Sequence, residues 1–147
     1  MDGTTGVITS VQVCPGHGIP MKPVDPGLFV PDLGLEGCRH ANPGSRRQVL
    51  LIEEETLDEF ELTPAIVKEN VTTRGIELMS LPVDTRLRLG EEVELWITGP
   101  CAPCGLMDEI REGLQEEIRG RRGVLAWVKT GGAVRVGERI EVVRTSK

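Results

Sequence analysis

Apolar and polar residues alternate along several short segments, as expected for strands that turn one face toward a core. The cleanest alternation covers residues 85–89 and 92–98, which flank Gly90-Glu91 and so predict a β-hairpin. Residues 15–34 carry five prolines and four glycines, which indicates a long loop with at most a short strand near 28–30. Runs of β-branched or continuously apolar residues predict further strands at 6–14, 49–52, 124–128, 133–136 and 140–143.

Two segments have the spacing of amphipathic helices. Apolar residues recur every four positions from Leu106 to Ile118 among charged ones, which predicts a helix over residues 105–119. A second helix is predicted over 53–60, where an acidic start suits a helix N-terminus. Roughly seven strands and two helices indicate a mainly β (α+β) fold, a barrel or sandwich with peripheral helices. The length suits a single domain, residues 1–147.

Charge and cysteine usage narrow the class of protein. The net charge of -6 argues against a general nucleic-acid binder, because phosphate contacts require a basic surface. Residues 1–5 lack the basic and apolar regions of a signal peptide, and no apolar run approaches the ~20 residues that span a bilayer. We therefore expect a cytoplasmic protein, whose four cysteines are more often thiols, metal ligands or catalysts than disulfides.

The stretch from Gly99 to Gly105 holds two of the four cysteines, three positions apart, between a predicted strand and a predicted helix. Cys104 would lie at the start of that helix, where unpaired backbone N–H groups favour an anion. The thiolate is the reactive form of cysteine. A reactive thiol at Cys104 is one hypothesis, and a metal site or an ordinary structural loop are the others.

A zinc site is the main alternative. Cys101 and Cys104 could supply two ligands, and Cys14 and His17, spaced as C-x-x-H, could supply two more. The two pairs lie far apart in sequence, and a chain of this size needs no metal in order to fold. A thioredoxin-like dithiol is disfavoured, because the surrounding βαβ pattern is absent.

A basic cluster interrupts the acidic chain. Its members are Arg39, His40, Arg46 and Arg47. Such a cluster is commonly a solvated face. It could also be an anion pocket, because the arginine fork matches phosphate and other oxyanions. Lys22 and Arg74 could join this pocket, whereas Asn70, Thr72 and Thr73 could equally hydrogen-bond turns.

Taken in order, several motifs resemble those of the MOSC domain, which is named for the C-terminal part of molybdenum cofactor sulfurase. The motifs are Lys22-Pro23-Val24, Gly34-Leu35-Glu36-Gly37-Cys38-Arg39-His40, Arg47-Gln48-Val49-Leu50-Leu51-Ile52, Glu69-Asn70-Val71-Thr72-Thr73-Arg74-Gly75-Ile76, the hairpin over 85–98, Cys104, and Gly131-Gly132-Ala133-Val134-Arg135-Val136-Gly137-Glu138. Their order and spacing make the resemblance specific, and it extends over nearly the whole chain.

The resemblance implies a closed β-barrel of about seven strands with a few peripheral helices. It also implies that Cys104 carries sulfur as a persulfide, or ligates molybdenum when the cofactor is bound. The protein would then be a sulfur carrier or sulfur transferase that serves the molybdenum cofactor (molybdopterin), an anionic pterin with a phosphate and a dithiolene. The residues that would hold this cofactor are Lys22, Arg39, His40, Arg47, Asn70, Thr72, Thr73 and Arg74.

The resemblance also has implications for partners. Fused proteins of this kind carry a cysteine desulfurase that uses pyridoxal phosphate to supply the sulfur. This chain has no room for that domain, so the sulfur would come from a separate desulfurase or other donor. The acceptor would be a molybdoenzyme, and pyridoxal phosphate would be found only on the donor.

Two positions leave questions for the structure. Cys38 stands where the family usually has Asp, so it is either a second thiol near the pocket or a small buried substitute. Cys101 is either a resolving thiol or a loop residue. A β-barrel interaction domain without chemistry is a further alternative, because a fold does not determine a function.

Overall fold

The computed structural model describes residues 3–143, which form strands, three short helices and one 3-10 turn. The strands are β1 (Thr5–Val13), β2 (Lys22–Pro23), β3 (Gly27–Val30), β4 (Gly34–Leu35), β5 (Val49–Glu53), β6 (Val71–Arg74), β7 (Arg86–Leu89), β8 (Val93–Pro100), β9 (Val124–Thr130), β10 (Gly132–Val134) and β11 (Arg139–Val142). The helices are α1 (Glu54–Glu59), α2 (Gly105–Ile110) and α3 (Leu114–Glu117), and the 3-10 turn covers Leu78–Ser80.

Seven of the described strands close into a barrel. Neighbouring strands follow the order β11-β7-β8-β9-β5-β6-β1, and β1 returns to pair with β11. The pairings are antiparallel except that of β5 with β6, which run parallel with α1 lying in the connection between them. Parallel neighbours need such a crossover, whereas antiparallel neighbours can be joined by a tight turn. The prediction of a mainly β closed barrel is confirmed.

The barrel interior is filled by every second residue of its strands. In β7, Leu87 and Leu89 are buried, while Arg86 and Arg88 point outward. This alternation arises because successive side chains of a strand face opposite sides of the sheet. β7 pairs with β8 in the predicted antiparallel hairpin, with Leu87 opposite Leu95. The hairpin prediction is therefore confirmed.

The predicted long loop over residues 15–34 contains more strand than its composition suggested. β3 lies between β10 and β4 in a three-stranded sheet, and β2 pairs with the end of β1. Gly27, at the start of β3, packs closely against β1, because a Cβ at this position would lie 2.7 Å from the side chain of Val11. The prolines and glycines of this segment therefore do not prevent strand formation. They limit the strands to two to four residues and allow close packing.

The predicted helix over residues 105–119 is interrupted. α2 ends at Ile110 and α3 begins at Leu114, with Gly113 between them in the left-handed region at φ 87. The apolar residues of this segment are nevertheless buried, as the amphipathic spacing predicts. Leu114 and the buried residues around it form a second core cluster against the barrel. No helix within the described residues is long and apolar enough to cross a membrane.

Candidate functional site

Cys104 lies between the end of β8 and the start of α2. The N–H of Cys101 donates to the carbonyl of Gly123 at 2.8 Å, which fixes this segment to the beginning of β9. Cys104 is the N-cap of α2, and its carbonyl accepts a hydrogen bond from the N–H of Met107 at 2.9 Å. The residue is exposed, whereas the other three cysteines are buried. Cys104 is therefore the thiol that a reactant from solution can reach.

Cys104 is part of the wall of a cavity of about 900 Å³. Segments that are distant in sequence meet here, because the closed barrel brings the ends of β1 and β8 close to the loops before β5, β6 and β9. The lining residues with polar or reactive side chains are Cys14, His17, Arg39, His40, Asn42, Ser45, Arg47, Lys68, Asn70, Cys101, Cys104, Glu109 and Arg122. The structure thus joins the predicted thiol to part of the predicted basic cluster.

The charge of the cavity wall is opposite to that of the chain. The chain has 23 acidic and 17 basic residues. The cations in the wall are Arg39, Arg47, Lys68 and Arg122, and they are opposed by the single carboxylate of Glu109. A concave surface lined by one sign of charge concentrates ligands of the other sign. The cavity is therefore suited to an anion.

The two buried thiols of the wall, Cys14 and Cys101, are held by contacts within the protein. Cys101 packs with Leu50 and Leu125 in a small apolar cluster. The thiol of Cys14 donates to the carbonyl of Gly16 at 3.3 Å. Among residues 3–143 no group of three or more His, Cys, Asp or Glu side chains is placed to hold a metal ion. The geometry therefore does not support the alternative of a zinc site on Cys14, His17, Cys101 and Cys104.

Cys38 is a buried thiol behind the cavity wall and is held by several donors. Its Sγ accepts hydrogen bonds from the N–H of Cys14 at 3.4 Å and from Nδ2 of Asn70 at 3.3 Å, and it lies 3.7 Å from Nδ1 of His40. Burial by itself would raise the pKa of Cys38, but the hydrogen bonds, led by that of His40, outweigh it and lower the pKa to about 7. With this pKa, Cys38 is partly ionised near neutral pH. It can therefore stand where the family usually has Asp, because the thiolate, like a carboxylate, presents a negative charge to the surrounding hydrogen-bond donors.

Asn70 lines the cavity, but its side chain is fully used by the fold. Its Oδ1 accepts the N–H of Leu50 at 3.0 Å, and its Nδ2 donates to the carbonyl of Gln12 at 3.2 Å as well as to Cys38. The backbone N–H of Asn70 also donates to the carbonyl of Leu50 at 2.8 Å. Asn70 therefore links β1, β5 and Cys38, and it positions the wall without a free donor for a ligand.

Four of the predicted ligand-binding residues lie outside this cavity. Lys22 is exposed and lines a smaller hollow on another side of β1. Thr72 and Thr73 are buried in β6, where the hydroxyl of Thr72 donates to Glu69 at 2.8 Å. Arg74 lies on the outer face and forms ion pairs. The predicted set thus divides, and Arg39, His40, Arg47 and Asn70 reach the cavity while these four do not.

Two cations of the wall, Lys68 and Arg122, were missed by the sequence analysis. Arg122 belongs to Gly120-Arg121-Arg122-Gly123, a segment that appeared only to end a helix. The useful signal was Gly123, because a glycine beside a charged residue can mark a close backbone approach. A Cβ at Gly123 would lie 2.5 Å from the carbonyl oxygen of Leu51. Gly123 directly precedes β9, and Arg122 beside it is buried.

The fold and the site together define a small closed barrel that presents one accessible thiol to a cation-lined cavity. The family model of the MOSC domain matches residues 38–141, and the chain belongs to the MOSC domain family. This family is associated with molybdenum cofactor sulfurase-like proteins. No curated protein matches the chain significantly.

Solved structures share the fold. The YuaD protein from Bacillus subtilis has a TM-score of 0.83 and 20% identity, and the match covers 97% of this chain and 97% of that chain. YiiM from Escherichia coli has a TM-score of 0.71 and 22% identity over 97% of this chain and 71% of its own. YiiM from Geobacillus stearothermophilus has a TM-score of 0.76 and 20% identity over 95% and 75%. At these identities the likeness establishes the fold alone.

Proposed function

We propose that this protein is a sulfur carrier for a metal–pterin cofactor, with Cys104 as the residue that holds the sulfur. The observation that carries the proposal is the exposed Cys104 thiol in the wall of a cavity with excess positive charge. The sulfur donor is a separate cysteine desulfurase or other persulfide protein, and the acceptor is a molybdoenzyme or its cofactor. The protein would act in the cytoplasm.

The residues of the cavity fit an anionic pterin. About 900 Å³ is within the range of sites that enclose a small organic ligand. Arg39 and Arg47 would supply guanidinium donors for its anionic groups, and the sulfur of Cys104 could ligate its molybdenum. When bound, the metal centre would supply the site that receives sulfur or exchanges oxygen.

The first step is a thiol exchange on Cys104. The Cys104 thiolate attacks the terminal sulfur of a donor persulfide, R–S–SH, and the S–S bond of the donor breaks. The donor leaves as the thiolate R–S⁻, and Cys104 becomes Cys104–S–SH with the proton retained on the terminal sulfur. In the second step the S–S bond of Cys104–S–SH would break and Cys104 would leave as a thiolate. The terminal sulfur, which keeps its proton, would pass to an acceptor that provides the electron pair of the new bond and is thereby oxidised by two electrons.

The proposal is tested by incubating the protein with a cysteine desulfurase and ³⁵S-labelled cysteine. Wild-type protein should carry the label in a form that dithiothreitol releases, and Cys104→Ser should carry label only at background level. Cys101→Ser is the matched control, because this thiol lies three residues away but is buried. Labelling of Cys104→Ser at the wild-type level would exclude Cys104 as the sulfur carrier.

The geometry bears on the alternative of an interaction domain without chemistry. That alternative expects a buried Cys104 and basic residues that point apart. Here Cys104 is exposed, and Arg39 and Arg47 line the same cavity as the thiol. The arrangement favours chemistry at the cavity over a scaffold that has lost its ligand.

A further inference from the structure

The cavity wall contains a buried cation whose hydrogen bonds are incomplete. Arg122 is only 4% exposed, and its Nη2 donates to the carbonyl of Val67 at 2.7 Å. Its Nε and Nη1 have no hydrogen-bond partner among residues 3–143. Buried polar groups are almost always paired, so an unpaired one in a native fold requires an explanation.

No carboxylate of the described chain lies within ion-pair distance of Arg122. The buried carboxyl of Glu69 is close enough to interact with its charge, but burial raises the pKa of Glu69. Its Oε2 accepts hydrogen bonds from the N–H of Ala65 and the hydroxyl of Thr72. Its Oε1 is buried and has no hydrogen-bond partner among the described residues, so Glu69 forms no direct bond to Arg122. A buried charge without a counter-charge is costly. An anion in the cavity would supply the negative charge and the hydrogen-bond acceptors that Arg122 lacks.

Lys68 extends the positive charge around Arg122. Val67, whose carbonyl accepts from Arg122, directly precedes Lys68, and Lys68 also lines the cavity. Lys68 has a left-handed backbone with φ 67, which is uncommon for a residue other than glycine. The Nζ of Lys68 donates to the carbonyl of Ile19 at 3.2 Å, which holds this cation at the cavity wall.

We propose that Arg122, with Lys68 beside it, anchors a phosphate group of the ligand at the buried end of the cavity. Cys104 would then lie at the exposed end, so that a ligand reaches from the phosphate anchor to the thiol. The identity of the organic part of the ligand rests on the proposed function, whereas the binding of a phosphate group at Arg122 does not. Charge-assisted hydrogen bonds from a guanidinium match phosphate oxygens, and they are stronger in the low dielectric of a buried position than at the exposed Arg39 and Arg47.

The test measures binding of two probes, inorganic phosphate and phenyl phosphate, by calorimetry to wild-type protein, Arg122→Gln and Arg74→Gln. Arg122→Gln should weaken binding by about tenfold or more, as expected for loss of a charge-assisted bond. Arg74→Gln makes the same change in charge on the outer face, and it should leave the affinity within about twofold. The probe that binds wild type more tightly shows whether the site prefers a free ion or an organic phosphate.

Equal affinities of wild type and Arg122→Gln, or no binding of either probe to wild type, would overturn the proposal. Cys104→Ser separates this inference from the proposed function. It should keep full phosphate binding even though it loses sulfur loading, and phosphate binding can survive if Cys104 proves not to carry sulfur.

A second measurement covers the case in which Arg122→Gln does not fold. Phosphate is titrated into ¹⁵N-labelled wild-type protein, and the Nε–H signals of the arginines are followed by NMR. The Nε–H of Arg122, which has no partner in the structure, should shift strongly at saturation. The Nε–H of Arg74, which already donates to Glu54, should remain in place. An Arg122 signal that does not move would overturn the proposal.

Discussion

Two arginines of the same barrel lie in opposite surroundings. Arg74, at the end of β6, is on the outer face and donates to Glu54 and Asp58, each at 2.8 Å. Arg122 is buried in the cavity wall and makes one hydrogen bond, to the carbonyl of Val67. Arg74 is neutralised by its own protein, whereas Arg122 retains two unpaired donor atoms.

The difference shows what makes a cation available to a ligand. Arg74 stands in a polar motif and looks like a binding residue in the sequence, but α1 places two carboxylates against it. Arg122 looks like a residue that ends a helix, but it lies in the cavity wall two residues before β9, and no carboxylate of the described residues is within ion-pair distance of it. Whether an arginine is available to a ligand therefore depends on the hydrogen-bond and ion-pair partners that the fold places around it. These partners can be tested separately at Arg122 in the cavity wall and at Arg74 on the outer face.

The largest expected effect comes from Gly123→Ala in the cavity wall. The new Cβ would lie 2.5 Å from the carbonyl oxygen of Leu51, and the φ of +110° is unfavourable for alanine. We expect the free energy of unfolding to fall by about 2–4 kcal/mol, measured by urea denaturation. The backbone next to Arg122, just before β9, would shift as well.

Gly120→Ala is the matched control. This residue also has a positive φ, of +81°, but no atom of the described chain lies within 4 Å of its Cβ position. The substitution should cost only the backbone preference, about 1–2 kcal/mol. If both variants lose the same stability, the close packing of β9 on β5 is not what holds the wall.

An intermediate effect is expected from Cys38, and it depends on pH. The folded-state pKa of about 7 lies below the ordinary thiol value of 9.0, so ionisation of Cys38 stabilises the folded state. This contribution is fully present above about pH 9 and is lost as the pH falls toward 7. Relative to Cys38→Ser, the wild-type free energy of unfolding should rise by about 2 kcal/mol between about pH 6 and about pH 9.5.

The interpretation of that pH dependence can be checked at His40, whose ring is the leading group that lowers the pKa of Cys38. His40→Gln should therefore reduce the rise in stability. Parallel stability curves for wild type and Cys38→Ser would mean that Cys38 stays a neutral thiol, and the position behind the wall would then carry no negative charge.

The smallest effect is expected on the outer face. Arg74→Ala removes two exposed ion pairs, which contribute little because water and salt screen them. Its Tm in a thermal melt should fall by no more than about 3 °C, and by less at high salt. A large and salt-independent loss would show that Arg74 supports the barrel and that the contrast with Arg122 is one of structure and not of availability.

The sequence predicted best those elements whose partners are adjacent along the chain. The β7–β8 hairpin was predicted because its turn and alternation are local, and it is found at Arg86–Leu89 and Val93–Pro100. The helix over 105–119 was predicted as continuous, because apolar spacing does not report the left-handed conformation that Gly113 adopts. Pairings between distant strands, such as parallel β5 with β6, leave no comparable local signal.

The site was predictable only in part for the same reason. Cys104, Arg39 and Arg47 belong to recognisable motifs, and they do line one cavity. Whether a side chain remains free is decided by contacts across the fold. Asn70 is used up by Gln12, Leu50 and Cys38. No local sequence pattern predicts such hydrogen bonds between residues that are distant in sequence.

The pairing of β1 with β11 has a consequence for how the chain folds. Thr5 pairs with Glu141, so closure joins strands from the two ends of the described chain. Contacts of such long sequence separation slow folding, because loop entropy is lost before the contact forms. During synthesis the barrel stays an open sheet until β11 is made, and its free edges can pair with other chains. Late closure therefore makes the nascent chain the form most exposed to aggregation.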